Sequence, residues 1–374
     1  MTAAAATPFA DRFARVRAEM TTQGVDTLLL SVGADLPYFI GYQAMPLERL
    51  TMLVLPREAE ATLVMPAFEM ARVKPLAEFR ILGWTETQNP IDIVRGLAGA
   101  SRVVSFGDQC WGRFVVDLVN ALPGVEFRKA TDVITPLRAC KDVHEIAVLR
   151  AASEAADRVA GQLHRGEIPL IGRTEAEVSA DIGRRLRAEG HEKVNFAIVA
   201  AGENASSPHH EPGPRVIKAN EVVLCDFGGT LRIGDSLSYC SDITRCVYTG
   251  EPPAEFTDLY DVLFSAQAAG VAAATLGTSC EGVDSAAREV IVDAGYGEFF
   301  THRTGHGIGI DAHEEPYMVA GNHLPLASGH AFSVEPGIYV PGRWGARLED
   351  IVVATGDGPD SLNRADHHLV VVES

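Results

Sequence analysis

The sequence predicts an α+β protein in two parts: a small α/β domain over residues 1–135, then a larger domain over residues 140–374. Three observations predict it. In the first third, short apolar runs alternate with helical patterns. Beyond residue 140 the strands cluster in hairpin-like pairs and the helices stand apart from them, the pattern of a mainly antiparallel sheet. The 374 residues are 47% hydrophobic and 22% charged, enough to bury the cores of two domains.

The elements follow in order. Phe9, Phe13, Val16 and Met20 recur at helical spacing and stop at Gly24. VDTLLLS, TMLVLP, ATLVMP and RVVSF read as strands, with helices between them. Residues 144–163 form a long helix with Ile146, Leu149, Ala152, Ala156 and Val159 on one face. TEAE, from Thr174, is a capping box that opens a second helix ending before Gly190. Further helices are expected over 257–276 and 283–294, the last closed by Gly295. The strands around them are VVLCDFGG, YCSDITRCVYTG, AFSVEPGIYV and ARLEDIVVAT. Each of these two strand pairs carries two acids, one per strand, a weak hint of internal duplication.

Composition narrows the function. A net charge of −18 argues against nucleic acid or an anionic membrane as partner, since both demand a basic footprint. No apolar stretch reaches membrane-spanning length, and MTAAAATPFADRFARV lacks the pattern of a secretory signal. The six cysteines contain no CxxC pair and read as reduced thiols in a cytoplasmic protein. Cys225 and Cys240 lie beside acids of interest, but read better as small buried apolar residues than as zinc ligands.

Asp226, Asp242, Glu335 and Glu349 sit among residues typical of sheet interiors. An ionised carboxylate there costs several kcal/mol or more unless it is paired or bound to a metal. Period-two geometry puts Arg347, Glu349 and Ile351 on one strand face and Asp350 on the other, so Glu349 faces a site while Asp350 makes a structural contact. In HRTGHGIGIDAHEEP, residues 302–316, Gly305, Gly307 and Gly309 make a regular helix improbable and suit close backbone approach around a crowded site. There is no HExxH, and GxGxG is not the dinucleotide GxGxxG. Four carboxylates and an imidazole form an oxygen-rich set suited to Mn²⁺, Co²⁺, Fe²⁺ or Zn²⁺. Two divalent ions balance the charge better than one.

DFGG, YCSDITR, HRTGHGIGIDAHEEP, VEPGIY and RLEDIV, in this order, resemble the M24 metallopeptidases of the pita-bread fold, in their Xaa-Pro dipeptidase (prolidase) and Xaa-Pro aminopeptidase branch. The N-terminal DTLLLSVGADLPYFIGY is similar to that family's creatinase-type N-terminal domain. The resemblance implies two metal ions per chain, Mn²⁺ first among the candidates. Asp226 would hold one, His306 and Glu335 the other, and Asp242 and Glu349 would bridge them. Glu335 would also shuttle a proton. His209, rather than His210, matches a substrate-side histidine, and His313 would stabilise the scissile carbonyl's developing charge. His302 and Arg347 would line the pocket and bind substrate, with Tyr339 on the same wall. Arg347 has two uses open to it: clamping a free carboxylate or holding Glu349 in place.

The implied activity is hydrolysis of the Xaa-Pro bond of dipeptides or short peptides by a metal-activated water, in a homodimer. The alternatives are a metal-free amidinohydrolase of creatinase type and a non-catalytic pita-bread binding module; both branches generally lack the full ligand set retained here. One departure stands out. Asp226 and Asp242 are sixteen positions apart, where the family has about eleven. A longer hairpin turn that leaves its ends in register accounts for the difference at little entropic cost. Asp235 lies in that turn.

Overall fold

The runs that read as uninterrupted apolar strands lie at the centres of sheets, and the strands that the pattern missed lie mostly at edges. The computed structural model describes residues 8–373; the segment before Pro8 lies outside them. Two compact units divide the chain between Arg138 and Ala139.

In the first unit a six-stranded mixed sheet runs Phe79–Trp84, Ala61–Pro66, Met52–Pro56, Thr27–Leu30, Val103–Phe106, Glu126–Lys129. Its inner strands are buried on both faces, as their continuous apolar runs require. The two edge strands, FRILGW and EFRK, have exposed positions and gave no sequence signal. The first helix, Pro8–Gln23, buries the expected Phe13, Val16 and Met20.

The second unit opens with helix Val143–His164. Asp142 caps it, accepting from the amides of His144 and Glu145 while Glu145 reaches back to the Asp142 amide. Thr174 and Glu177 form the same reciprocal cap on helix Glu175–Ala188. Helices Ala254–Ala273 and Cys280–Asp293 each begin three residues before the expected position. Pro253 occupies the N-cap of the first, and Ser279 caps the second through the Gly282 amide, 3.0 Å away.

These helices cover two five-stranded sheets. One runs Val370–Val371, Ile243–Tyr248, Val222–Leu231, Lys193–Ala201, with Tyr239–Cys240 also pairing Val222–Leu231. The other runs Glu314–Met318, Gly305–Gly307, Ala331–Val334, Asp350–Thr355, Gly358–Ser361. An isolated bridge, Thr244 to Glu349, joins them. Val223, Cys225 and Phe227 pack on Val159, Leu163, Ile182 and Leu186 of the first two helices. Their period-two partners Val222 and Leu224 pack on Phe256, Leu259 and Leu263. Both faces of this strand are therefore covered, and only Asp226 interrupts its apolar character.

Three of the four long strands expected from sequence are broken. AFSVEPGIYV divides into Ala331–Val334 and Gly337–Val340 around Glu335 and Pro336. ARLEDIVVAT divides around Leu348 and Glu349, and YCSDITRCVYTG around Ser241 and Asp242. The chain changes partner at the breaks: Ala331–Val334 pairs Asp350–Thr355, but Gly337–Val340 pairs Trp344–Arg347. Pro336 lacks the amide needed to carry the ladder through. Three of the four acids thus sit at strand breaks rather than inside strands.

Candidate metal centre

A cavity of about 470 Å³ lies where the two sheets meet. Asp226, Asp242, His306, Glu335 and Glu349 all line it, with His209, His302, His313 and Arg347. Asp226 points in because it shares a strand face with Val222 and Leu224. His306 is placed by the short strand Gly305–Gly307, which is flanked by Glu314–Met318 and Ala331–Val334. A Cβ at Gly305 would stand 1.8 Å from the Ser333 carbonyl oxygen, and one at Gly307 2.3 Å from that of Glu315. Glycine is required by that close approach.

The five side chains form two overlapping groups. Asp226, Asp242 and Glu349 offer oxygens within 4.8 Å of one another, and so do His306, Glu335 and Glu349 through their donor atoms. His306 Nε2 lies 3.2 Å from Glu335 and 3.8 Å from Asp242. Its Nδ1 is 3.1 Å from the Gly307 carbonyl, which makes Nδ1 the donor and leaves the Nε2 lone pair facing the acids. Supporting hydroxyls fix the carboxylates. Thr244 donates to Glu349 at 2.7 Å, and Ser333 donates to Glu335 at 3.1 Å.

The carboxylates crowd one another in a buried setting. Burial, then Glu349 and Asp226, push the Asp242 carboxyl well above its usual range. Burial, then Glu335 and Asp226, do the same to Glu349. Burial also raises Asp226, although Arg347 stands 2.7 Å away and opposes it. Glu335 differs: burial acts upward, but the hydrogen bond and charge of His306 outweigh it and hold this carboxyl low. Asp226 Oδ1 and Asp242 Oδ1 are buried with no hydrogen-bond partner. Orphaned acceptors among four crowded carboxylates are what a divalent cation would satisfy. The donor set is oxygen-rich with one imidazole, so the residues fit a pair of hard or borderline divalent ions.

The surrounding residues divide by position. His209 lines the cavity, whereas His210 turns away to Glu175 at 2.8 Å and Asn204 at 3.3 Å. His313 is exposed at the mouth, its ring 3.9 Å from that of His306. Partial burial of its ring, then His306, lower its pKa to about 4, so it is neutral at pH 7. Arg347 faces Asp226, not Glu349; it also donates to Thr244 at 3.1 Å, Tyr339 at 2.7 Å and the Pro208 carbonyl at 3.2 Å. Tyr339 does not reach the wall expected for it. It stands behind the lining, its hydroxyl joining Arg347 to His302 Nε2 at 2.8 Å. Asp235 lies exposed at the hairpin tip. Among the described residues no cysteine joins a metal-capable group; Cys225 is wholly buried in an apolar cluster, and Cys240 donates to the Ile310 carbonyl.

Phe196, Ile198, Pro208 and Arg303 also line the cavity and were not foreseen. Phe196 and Ile198 come from strand Lys193–Ala201, where Ile198 is the register partner of Asp226. Val194, Phe196 and Ile198 at every second position were the available signal.

Residues 137–356 match the family described as Metallopeptidase family M24, and residues 12–140 match the Creatinase/Prolidase N-terminal domain. The chain belongs to the M24 metallopeptidases. It is 43% identical over 369 residues to a probable dipeptidase PepE of Mycobacterium bovis, covering 97% of this chain and 96% of that one. Among solved structures, the dipeptidase PepE of Mycobacterium ulcerans superposes with a TM-score of 0.90 at 41% identity, covering 98% of each chain. A prolidase of Thermococcus sibiricus superposes with a TM-score of 0.90 at 32% identity, over 98% of this chain and 100% of that one. The fold is therefore that of the pita-bread prolidases, with a creatinase-type N-terminal domain. No helix among the described residues is long and apolar enough to cross a membrane.

Proposed function

We propose that this metallopeptidase hydrolyses the Xaa-Pro bond of dipeptides and short peptides, with two divalent ions held by Asp226, Asp242, His306, Glu335 and Glu349. One observation carries the reading: five metal-capable side chains from five separate segments converge on one cavity, and two of their oxygens are buried and unpartnered. Likeness to proteins named dipeptidase and prolidase supports the substrate class.

Metal ions bound there would acidify the attacking water and polarise the scissile carbonyl. The chain's own residues do the rest. Glu335 takes the proton from the attacking water and delivers it to the leaving proline nitrogen. That nitrogen carries no hydrogen in the substrate, so recognition cannot depend on an amide donor there. His313, neutral and at the mouth, donates a hydrogen bond to the carbonyl oxygen as charge develops on it. His209 and His302, in the same cavity lining, orient the peptide. Arg347 and Tyr339 act behind them by holding Asp226 and His302 in place. Phe196 and Ile198 give the pyrrolidine ring an apolar wall.

Manganese is the proposed ion, with cobalt, zinc and iron as alternatives, because four of the five donors are carboxylates. We also place the protein in the cytoplasm as a homodimer. Its six free cysteines, four of them buried, suit a reducing compartment, and family membership is the basis for the dimer. The test is hydrolysis of Ala-Pro and Ala-Pro-Ala by chelator-stripped protein before and after adding Mn²⁺, with elemental analysis of the loaded form. About two ions per chain and metal-dependent cleavage are expected. Turnover of neither peptide by the loaded protein would refute the assignment.

A further inference from the structure

His209 and His210 are neighbours in sequence, but only His209 lines the cavity. Among the described residues no hydrogen bond holds the His209 ring. His302 differs: its Nδ1 lies 2.7 Å from the Arg303 carbonyl and its Nε2 2.8 Å from the Tyr339 hydroxyl. The placement of His209 therefore falls to the backbone that carries it. That backbone is the turn Ser207–Pro208–His209–His210, closed by the His210 amide on the Ser207 carbonyl at 3.2 Å. Proline at the second position fixes one φ of the turn. The turn is also tied down on each side of His209. Before it, the Pro208 carbonyl accepts from Arg347 at 3.2 Å, and Arg347 in turn holds Asp226. After it, His210 Nε2 lies 2.8 Å from Glu175.

Glu175 is a fixed acceptor. It is fully buried at the start of helix Glu175–Ala188. It accepts from the Ala201 amide at 2.9 Å and from Asn204 Nδ2 at 3.0 Å, which joins the end of strand Lys193–Ala201 to the helical turn that follows. A carboxylate out of water demands donors, and His210 supplies one. We propose that His210 is a positioning residue: its hydrogen bond to Glu175 sets the turn so that His209 meets the peptide in the right orientation. This rests on the peptidase reading above. Without the His210 donor the turn keeps its tie to Arg347 but loses the one to Glu175. A shift of about 1 Å in an orienting group can cost about a hundredfold in rate.

The experiment measures Ala-Pro hydrolysis by manganese-loaded protein, with rates scaled to the bound metal by elemental analysis. His210→Phe keeps a flat ring but no donor. It should lower kcat/KM roughly ten- to a hundredfold, chiefly through kcat, with both ions retained. His210→Gln restores a donor to Glu175 and should return to within about threefold of wild type. The same His210→Phe change made in His209→Ala should cost less than about twofold further, because the residue through which it acts is gone. Wild-type kcat/KM in His210→Phe overturns the proposal and leaves the peptidase reading intact. An equal loss in both backgrounds also overturns it, since His210 would then support the fold and not His209. Failure of the wild type to cleave Ala-Pro overturns the peptidase reading and the proposal with it.

Discussion

Arg245 with Asp350, and Arg347 with Asp226, are two buried arginine–aspartate pairs built side by side: Arg245 is the ladder partner of Cys225, next to Asp226, and Arg347 and Asp350 flank one strand break. The first pair is closed on itself. Arg245 is fully buried and donates to Asp350 and to the backbone carbonyls of Thr244, Glu349, Ala365 and Asp366. Asp350 also receives Gln267 at 3.1 Å and His367 at 2.6 Å. Burial acts to raise its carboxyl, but Arg245 and His367 outweigh it and hold it low. The second pair is left open. Asp226 keeps one oxygen unpartnered, and burial raises it in spite of Arg347. The same two residue types make a structural joint where every polar atom is satisfied and a reactive site where one is not. Glu349, at the strand break, and Asp350, the first residue of the next strand, face these two environments although adjacent in sequence.

Substituting one acid on each side tests that division most directly. Asp242→Asn should lower activity at least about a thousandfold, the several kcal/mol expected for losing part of a metal cage. Its metal-free form should melt at the same temperature as the stripped wild type or higher, because a crowded charge has been removed. A drop in the melting temperature of the stripped variant would place Asp242 with the structural acids. Asp350→Ala should behave in the opposite way. Stranding Arg245 in the interior should cost about 3–5 kcal/mol in denaturant unfolding, while the fraction that stays folded should keep kcat within a few-fold. Full stability with lost activity would put Asp350 in the site.

The closed pair also has an acid limit. His164 lies near Arg245 with its Nε2 buried and unpartnered, and burial, then Arg245, lower its pKa from 6.5 to about 4. A group whose folded pKa is depressed leaves stability intact above its unfolded pKa and removes it as pH falls toward the folded one. Acidification from about pH 6.5 to 4 should therefore destabilise the protein by about 3 kcal/mol through this residue. His164→Asn should flatten the stability profile over that window, read by urea midpoints. Identical slopes for variant and wild type would show that His164 titrates freely.

Much of this was legible in the chain. An acid inside an apolar run costs too much to be left unexplained, so Asp226, Asp242, Glu335 and Glu349 announced themselves, and period-two geometry separated Glu349 from Asp350. The strand breaks were not legible. Partner exchange at Glu335–Pro336 depends on which strand lies alongside, and a run such as AFSVEPGIYV shows no gap locally. Edge strands such as EFRK lacked the apolar continuity that marks buried ones. Arg303 carried no pattern, because only the folded cavity brings it beside the ligand set.

The lengthened hairpin gives the mildest test of where the site ends. Thr244 pairs Asp226 below the break at Ser241 and Asp242, and Cys240 pairs Thr230 above it, so the register is continuous and the extra residues form the tip. Residues 232–238 carry the exposed Asp235 and only one partly buried apolar anchor, Leu237. Replacing these seven by Asn-Gly removes five residues, returns the two acids to a spacing of eleven, and supplies a turn whose twist suits a tight hairpin. Losing Leu237 should cost about 1 kcal/mol, since it is only partly buried, and shortening the loop changes closure entropy by less. Because Asp226 lies in the ladder and Asp242 is held between the pairs Cys240–Thr230 and Ile243–Phe227, kcat/KM on Ala-Pro should stay within about threefold of wild type. A larger loss, with two metals still bound, would mean that the hairpin tip reaches the substrate, and the boundary between scaffold and site would have to be redrawn to include it.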